Sequence, residues 1–334
     1  MISNNVITAS APGRIDLCGG PTDWCGMNTL AMAINLRAYA TVKKLDDPKL
    51  IKIRIGDEYS EYTTPEYDGK LNLFKAVIEL SGLSGFSLDC KTDIPRGSGL
   101  GGSAPLTVAT VFALNKLFEM KWSKYFMAEL AQRAETYKLH TVNGYQDQYS
   151  AMFGGALFMD FRGKSCQRGD YSKTVESEPY TTVEQLTPFF PESHIVVAIP
   201  EIVRISSDQT NGSLSDRYLD GEKLIVDSIT NMARNAQNAK KHLIDGEYDK
   251  LFDAINTDND FHRIYNFVTP QNEMIIESAN NFGALACNVC GAGRGAVAIF
   301  APNGNVQSKI FDGLSSNVEH IFKVKIDEGA RYEK

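Results

Sequence analysis

The stretch Pro95–Ala109, PRGSGLGGSAPLTVA, decides how the chain is read. It holds four glycines and two serines and runs straight into an apolar segment. The spacing predicts a helix over SAPLTVATVFALNKLFE, and Pro105 suits its first turn, where a missing N–H costs little. Helix N-termini leave backbone N–H groups unpaired and carry partial positive charge. Glycine-rich backbone ahead of one can close around phosphate oxygens. Pro95, Gly97, Ser98, Gly99, Leu100, Gly101, Gly102, Ser103 and Ala104 are therefore the expected phosphate cradle. The Ser103 hydroxyl is placed for a Mg²⁺ ion held by the same phosphates. The loop is not a P-loop, because no Lys-Ser/Thr follows its last glycine, nor is it GxGxxG with a later ribose-binding acid. Without other signals, a flexible linker with a serine cap accounts for it equally well.

On either side, strands and helices alternate without a βαβ repeat. Strands are expected at VITASAPGRIDLC, TLAMAINLRAYATVKKL, KLIKIRI, GFSLDCKTDIP and GALFMDF. Helices are expected at KLNLFKAVIELS, ending at Gly82, and at YFMAELAQRAETYKL. The polar run GKSCQRGDYSKTVESEPYTTVEQL marks a boundary, giving an N-terminal domain of residues 1–180 and a C-terminal domain of 181–334. The second half opens with the strand HIVVAIP. Three helices follow, then ACNVCGAGRGAVAIFAP, then a strand at IFKVKID. The fold class is α+β rather than a doubly wound parallel sheet.

Composition narrows the function. With 334 residues, 43% hydrophobic, the chain can bury a large core. A net charge of −7 without basic blocks argues against nucleic acid as a partner. No apolar run reaches the roughly 20 residues that span a bilayer, and MISNNVITAS lacks the basic and apolar regions of a signal peptide. The lone CxxC of Cys287 and Cys290 has no second pair and no clustered histidines, so reduced thiols in a cytoplasmic protein are expected rather than a zinc site.

Three further stretches carry candidate chemistry. In APGRIDLCGGPTDWCG, Arg14 and Asp16 flank Ile15 and share one face of a strand. Gly19, Gly20 and Pro21 force a turn after it, and Thr22 and Asp23 follow, suited to a sugar hydroxyl or to an Asx-type turn. In AETYKLHTVNGYQDQYSAMFGG, Glu135 sits late in a helix and Asp147 lies between two glutamines after Gly144, each unremarkable by itself. CGAGRGAVAIF, Cys290–Phe300, lets another backbone approach closely, or is a tight turn.

Together these stretches resemble the GHMP kinase superfamily, in order and spacing, over nearly the whole chain. APGRIDLCGGPTDWCG is similar to its first motif in the sugar-kinase form, PRGSGLGGSAPLTVA to its phosphate-binding motif and CGAGRGAVAIF to its third. QRAETYKLHTVNGYQDQ resembles the galactokinase pattern of Ala-Glu followed at fixed distance by Gly-x-x-Asp-Gln. The resemblance implies an N-terminal domain like ribosomal protein S5 domain 2, a C-terminal ferredoxin-like domain and an active site between them. It implies ATP and Mg²⁺, with Asp147 as base or orienter, Arg14 as the cation facing it, and Ser103 and Glu135 on the metal. Such roles suit phosphoryl transfer, which needs positioning and charge neutralisation more than covalent help.

The same resemblance implies a sugar site at Asp16, Gly20, Thr22, Asp23, Gln146, Tyr149, Arg204, Gly291, Gly293 and Arg294. Gly20-Pro21 stands where galactokinases carry Glu-His, which removes the acid expected at the sugar's C6 end. GGPTD, GYQDQYSAMFGG and VRISSDQ are closer to the D-glycero-D-manno-heptose 7-phosphate kinases, with Tyr145 where those carry lysine. Asn288 and Arg294 also depart from their pattern. A 7-phosphate would need cations, for which Arg37, Lys43, Arg204 and Arg294 are candidates. The expectation is an ATP-dependent kinase of the anomeric hydroxyl of a sugar or sugar phosphate, heptose 7-phosphate first, with galactose, fucose and uronic acids behind it. A homodimer is left open. A non-catalytic sugar/ATP sensor is the alternative of another class, against which the retained Arg14, Ser103, Glu135 and Asp147 count. A decarboxylase of the same superfamily suits PTD and QDQ less well.

Overall fold

The structure, a computed structural model, describes residues 6–69, 71–164, 178–201, 207–291 and 295–334. The N-terminal half is laid out by two long strands, β1 (Val6–Cys18) and β2 (Asn28–Lys44), antiparallel along most of their length. Register shifts at Pro12/Gly13 and Asp16/Cys18 interrupt the ladder, and Pro12, which has no N–H to give, sits at the first. The chain goes on through β3 (Ile51–Ile55), β4 (Glu58–Tyr62), α1 (Asn72–Ser81) and β5 (Phe86–Thr92). Then come α2 (Ser103–Leu117), α3 (Lys124–Arg133), α4 (Gln146–Phe153), β6 (Ala156–Asp160) and β7 (Thr182–Gln185). These strands form an eight-stranded sheet in the order β12-β1-β2-β5-β3-β4, with β6 on β2 and β7 on β6; β12 is the final Arg331–Tyr332. The helix α2 is apolar nearly all round, as a helix buried among others should be, and it packs on β1 and β2.

The second half contains β8 (His194–Ile199), α5 (Ser207–Leu219), α6 (Lys223–Ile244), α7 (Tyr248–Ile264) and α8 (Pro270–Asn281). After these come β9 (Ala286–Val289), β10 (Val297–Ala301), α9 (Gly304–Leu314) and β11 (His320–Val324). Its four strands pair antiparallel in the order β11-β8-β10-β9, the arrangement of a ferredoxin-like βαββαβ unit. Alternation on β8 divides the core. Ile195, Val197 and Ile199 face α6, α7 and the β1–β2 residues Ile15 and Met32, while Val196 and Ala198 face α8 and α9. One apolar cluster therefore spans both sheets and fixes how the halves meet.

The segment after Gly144, expected as a turn, is α4, so Asp147 stands in a helical first turn. The run Ala134–Lys138, expected to continue α3, is a single π-helical turn. That irregularity re-aims the residues after Arg133. The turn expected after β1 is a 3₁₀ turn at Gly20–Cys25, whereas the strand β4 and the helices α5 and α9 had no counterpart in the sequence reading. For α9 the signal was present: Asn303 caps it by accepting from the N–H groups of Asn305 at 3.1 Å and Val306 at 3.0 Å. Much of the polar boundary run, residues 165–177, lies outside the described residues, and its far end is β7, a strand of the first sheet. Among the described residues no helix is long and apolar enough to cross a membrane.

Candidate active site

Arg14 lies on β1 and Asp147 on α4, 133 residues apart in sequence. The Arg14 Nε and Nη2 both reach Asp147 Oδ1, at 2.8 and 2.7 Å. Arg14 also donates to the carbonyl of Gly99 and lies 3.3 Å from Asp16 Oδ1. Burial alone would discourage its charge, but Asp147 and then Asp16 outweigh that, and its pKa stands above the ordinary arginine value. Asp147 is pushed the other way. Burial raises its carboxyl pKa, and Arg14 opposes the rise without cancelling it. Its side chain is still 29% exposed, so it faces solvent as well as Arg14.

The glycine-rich loop closes over this pair. The Arg14 N–H donates to Leu100 O at 3.1 Å, tying the loop to β1. Gly101 has φ +69°, and a Cβ there would stand 3.1 Å from Asp147 Oδ2. Gly99 has φ +75°, and a Cβ on it would strike the Cys290 carbonyl. These two positions need glycine for conformation and for space. The third expected motif docks on the same loop: Ala296 N–H donates to Ser98 O at 2.7 Å, and Gly291 N–H donates to Asp16 Oδ2 at 2.6 Å. Cys287 and Cys290 are buried, burial lifts both thiols to about 12, and no metal-sized cluster of His, Cys, Asp or Glu occurs among the described residues.

Ser103 is the first residue of α2, exposed, with Gly102 rather than a serine at the cap position. Glu135, on the π turn, is 6% exposed. Its Oε2 accepts from Asn143 Nδ2 at 2.8 Å, while Oε1 is buried without a hydrogen bond of normal length. Burial raises its carboxyl pKa to about 7, with the Ser103 hydroxyl drawing it back and Asp147 adding to the rise. A protonated or under-coordinated carboxyl beside a serine hydroxyl is an oxygen donor set short of a cation, which fits Mg²⁺.

At the other end, Asp23 is buried. Its Oδ2 accepts from the N–H groups of Tyr145 at 2.6 Å and Gln146 at 2.9 Å, and its Oδ1 from Trp24 at 3.0 Å. Asp23 thus seats the N-terminus of α4 as well as closing its own turn, and burial lifts its pKa to about 7. Gly144 is needed beside it, since any Cβ there would overlap the carboxylate. Gln146 Nε2 donates to Gly20 O at 2.9 Å, joining α4 to the 3₁₀ turn.

Several sequence expectations need correction. Thr22 does not face a ligand: it is fully buried and its hydroxyl donates to Asn28 O at 2.8 Å. Tyr149 is a core residue whose hydroxyl donates to Glu129 at 2.6 Å. Asp16 has zero exposure and lies beneath the site, holding Arg14 and Gly291. Arg37 is buried and bonds Asp327 at 2.7 Å, Ser10 and the carbonyls of Glu328 and Gly329, so it fastens the C-terminal strand instead of a phosphate. Lys43 is exposed near the far end of β2, paired with Val6. Arg204, Gly293 and Arg294 lie outside the described residues.

Sequence reasoning missed a buried group under the glycine turn. Asp258 Oδ1 accepts from Gly19 N–H at 2.9 Å, and its Oδ2 from Asn288 Nδ2 at 3.3 Å. Burial raises Asp258 to about 7 and lowers His262, one helical turn on, to about 3. The i, i+4 spacing of Asp258 and His262 on α7 was visible, but nothing in the sequence said which face was covered.

Residues 71–155 match the GHMP kinases N terminal domain, and residues 3–44 match the galactokinase galactose-binding signature. The chain is 28% identical to D-glycero-alpha-D-manno-heptose 7-phosphate kinase of Campylobacter jejuni, with 88% of each chain covered. Over these segments and this relative the chain is similar to the GHMP kinases. Another relative is probable glucuronokinase 2 of Arabidopsis thaliana, 25% identical over 92% of this chain and 88% of its own. In fold it is similar to Lactococcus lactis galactokinase complexed with galactose, at TM-score 0.78 and 19% identity, covering 98% of this chain and 95% of the other. The family match over 71–155 takes in the glycine-rich loop, Glu135 and Asp147, and that over 3–44 takes in Arg14 and Asp23. Like its relatives, the chain is a phosphotransferase with an alcohol group as acceptor.

Proposed function

We propose that this kinase transfers the γ-phosphoryl group of ATP to the anomeric hydroxyl of a sugar, D-glycero-D-manno-heptose 7-phosphate first among the candidates. The observation that carries the reading is the Arg14–Asp147 pair under the glycine-rich loop, a carboxylate and a cation joined across the whole N-terminal half. Asp147 orients the acceptor hydroxyl and takes its proton as the oxygen bonds to the γ-phosphorus and the bond to the ADP oxygen breaks. Arg14 keeps Asp147 ionised and faces the charge that develops in transfer. The loop Pro95–Ala104 ends in the open N–H groups of α2, which receive phosphate oxygens. Ser103 and Glu135 are the residues that would hold Mg²⁺, whose contribution is to neutralise phosphate charge. Asp23, Gly20 and Gln146 form the wall on the sugar side.

A uronic acid is the second reading, favoured by the glucuronokinase relative. A coupled ADP-release assay over heptose 7-phosphate, galactose, fucose, glucuronate and galacturonate separates them. Turnover on heptose 7-phosphate with a product that has lost its reducing end is the expected result. Turnover on glucuronate alone replaces the first reading with the second. ATP binding without turnover on any sugar sinks both and favours a sensor.

A further inference from the structure

Behind α4, away from Arg14, lies a buried cluster of charged groups that the proposed mechanism does not use. Glu129 and Arg133 come from α3, Lys164 from just beyond β6, and Glu178 from the near side of β7. Their side chains are at most 3% exposed. Lys164 Nζ donates to Glu129, Arg133 Nη2 donates to Glu178 at 2.7 Å and lies 3.7 Å from Glu129, and Lys164 lies 3.9 Å from Glu178. Among the described residues, two cations meet two carboxylates here. Two hydroxyls at α4 join the network. Tyr149 donates to Glu129 at 2.6 Å, and Tyr145, just ahead of the helix, donates to Glu178 at 3.1 Å. The Lys164 ammonium also sits over the Tyr145 ring, 4.8 Å from its centre.

Burying such a network is a poor way to gain stability, because an apolar replacement of similar volume usually does as well. What it supplies is direction. α4 has eight residues, too few to hold a position by itself. Residues 145 and 149 lie on one face of it and 147 on the opposite one. A rotation or slide of α4 that moves Asp147 breaks both tyrosine hydroxyl bonds, whereas an apolar face would tolerate it. The partner helix matters equally. Glu129 and Arg133 sit on α3, which runs into the π turn carrying Glu135.

We propose that the Glu129–Lys164–Arg133–Glu178 network, read through Tyr145 and Tyr149, is a positioning brace that sets Asp147 against Glu135, and so against Arg14 and the metal. The proposal rests on the catalytic reading of Asp147 and Glu135. Its physical basis is that a misplacement of about 1 Å in a reacting group costs on the order of a hundredfold in rate.

The test is the double substitution Glu129→Gln with Lys164→Met, which removes one charge of each sign together, and Tyr145→Phe, which removes a hydroxyl and no charge. Three readouts are taken: steady-state kinetics on whichever sugar turns over, thermal melting, and hydrogen exchange of the α4 amides. The expected result for the double variant is a kcat lowered tenfold or more, KM for ATP within twofold of wild type, faster α4 exchange and little change in melting temperature. Tyr145→Phe should show the same pattern more weakly, and Lys164→Arg, which keeps the charge and the donors, should restore kcat. Wild-type kcat and α4 exchange in a folded double variant would overturn the proposal. Should the double variant not fold, Tyr145→Phe decides by the same criteria. Should wild-type protein turn over no sugar, the catalytic reading fails by itself, and α4 exchange alone tests whether the network braces the helix.

Discussion

Asp147 looks outward from one side of α4, and Tyr145 and Tyr149 pack inward on the other; the two sides treat charge in opposite ways. Inside, Lys164 and Arg133 balance Glu129 and Glu178. Outside, Arg14 pairs with Asp147 and Asp16, and the carboxyls of Asp147, Glu135 and Asp23 are all pushed up by burial. On the inner face, each described buried carboxylate meets a cation. Among the described residues the outer carboxyls outnumber the cations beside them, and a bound cation or polyphosphate would rearrange that charge.

The comparison can be broken at Asp147 first. Asp147→Asn should lower kcat by about 10²–10⁴-fold, the usual worth of a positioned base, with ATP affinity by calorimetry nearly unchanged. Turnover at the wild-type rate would make the outer face merely acidic. Gly101→Ala comes next. It forces a side chain onto φ +69° and to 3.1 Å from Asp147 Oδ2, and should cost about tenfold in kcat, on the scale of a left-handed backbone penalty. An unaffected kcat would mean the loop does not need to lie so close to the carboxylate.

Glu135 sharpens the contrast through pH. Its carboxyl is raised to about 7, so the stability it contributes is present at low pH and lost as pH rises through about 7. Asp23 and Asp258 act in the same direction, and His262, lowered to about 3, acts in the opposite one below its unfolded pKa. In metal-free protein, Glu135→Gln should reduce the loss of melting temperature between pH 5 and pH 8. It should also weaken the Mg²⁺ dependence of turnover. An identical pH profile in the variant would show that Glu135 is already ionised and satisfied. The smallest effect is expected at an exposed pair. Lys223–Asp227 on α6, 2.5 Å apart at the surface, should be removable by Lys223→Ala without a measurable shift in melting. A large shift there would undercut the distinction drawn between buried and solvated charge.

The local signals of the sequence were legible where one short stretch carried its own reason. Glycines ahead of an apolar run announced the loop before α2, and Gly82 the end of α1. The apolar run HIVVAIP announced the strand β8. Asp147 was singled out although its helix was not, because α4 is short and is held by Asp23, Gln146 and two tyrosines rather than by propensity. Thr22 and Tyr149 were misread because a hydroxyl close to a site residue belongs to the site or to the core according to its neighbours in space, Asn28 for Thr22 and Glu129 for Tyr149. Lys164 had no signal at all: a lysine after a strand is ordinarily solvated.

By itself the sequence determined the class of fold, the position of the glycine-rich loop ahead of α2 and the identity of the chemical groups, because conformational preference and side-chain chemistry are local properties. The tertiary structure alone decided which carboxylates are buried and which described cations they meet. Burial and electrostatic pairing depend on what distant segments bring together. Arg14 meets Asp147, and Lys164 meets Glu129, only once the sheet and its helices have closed.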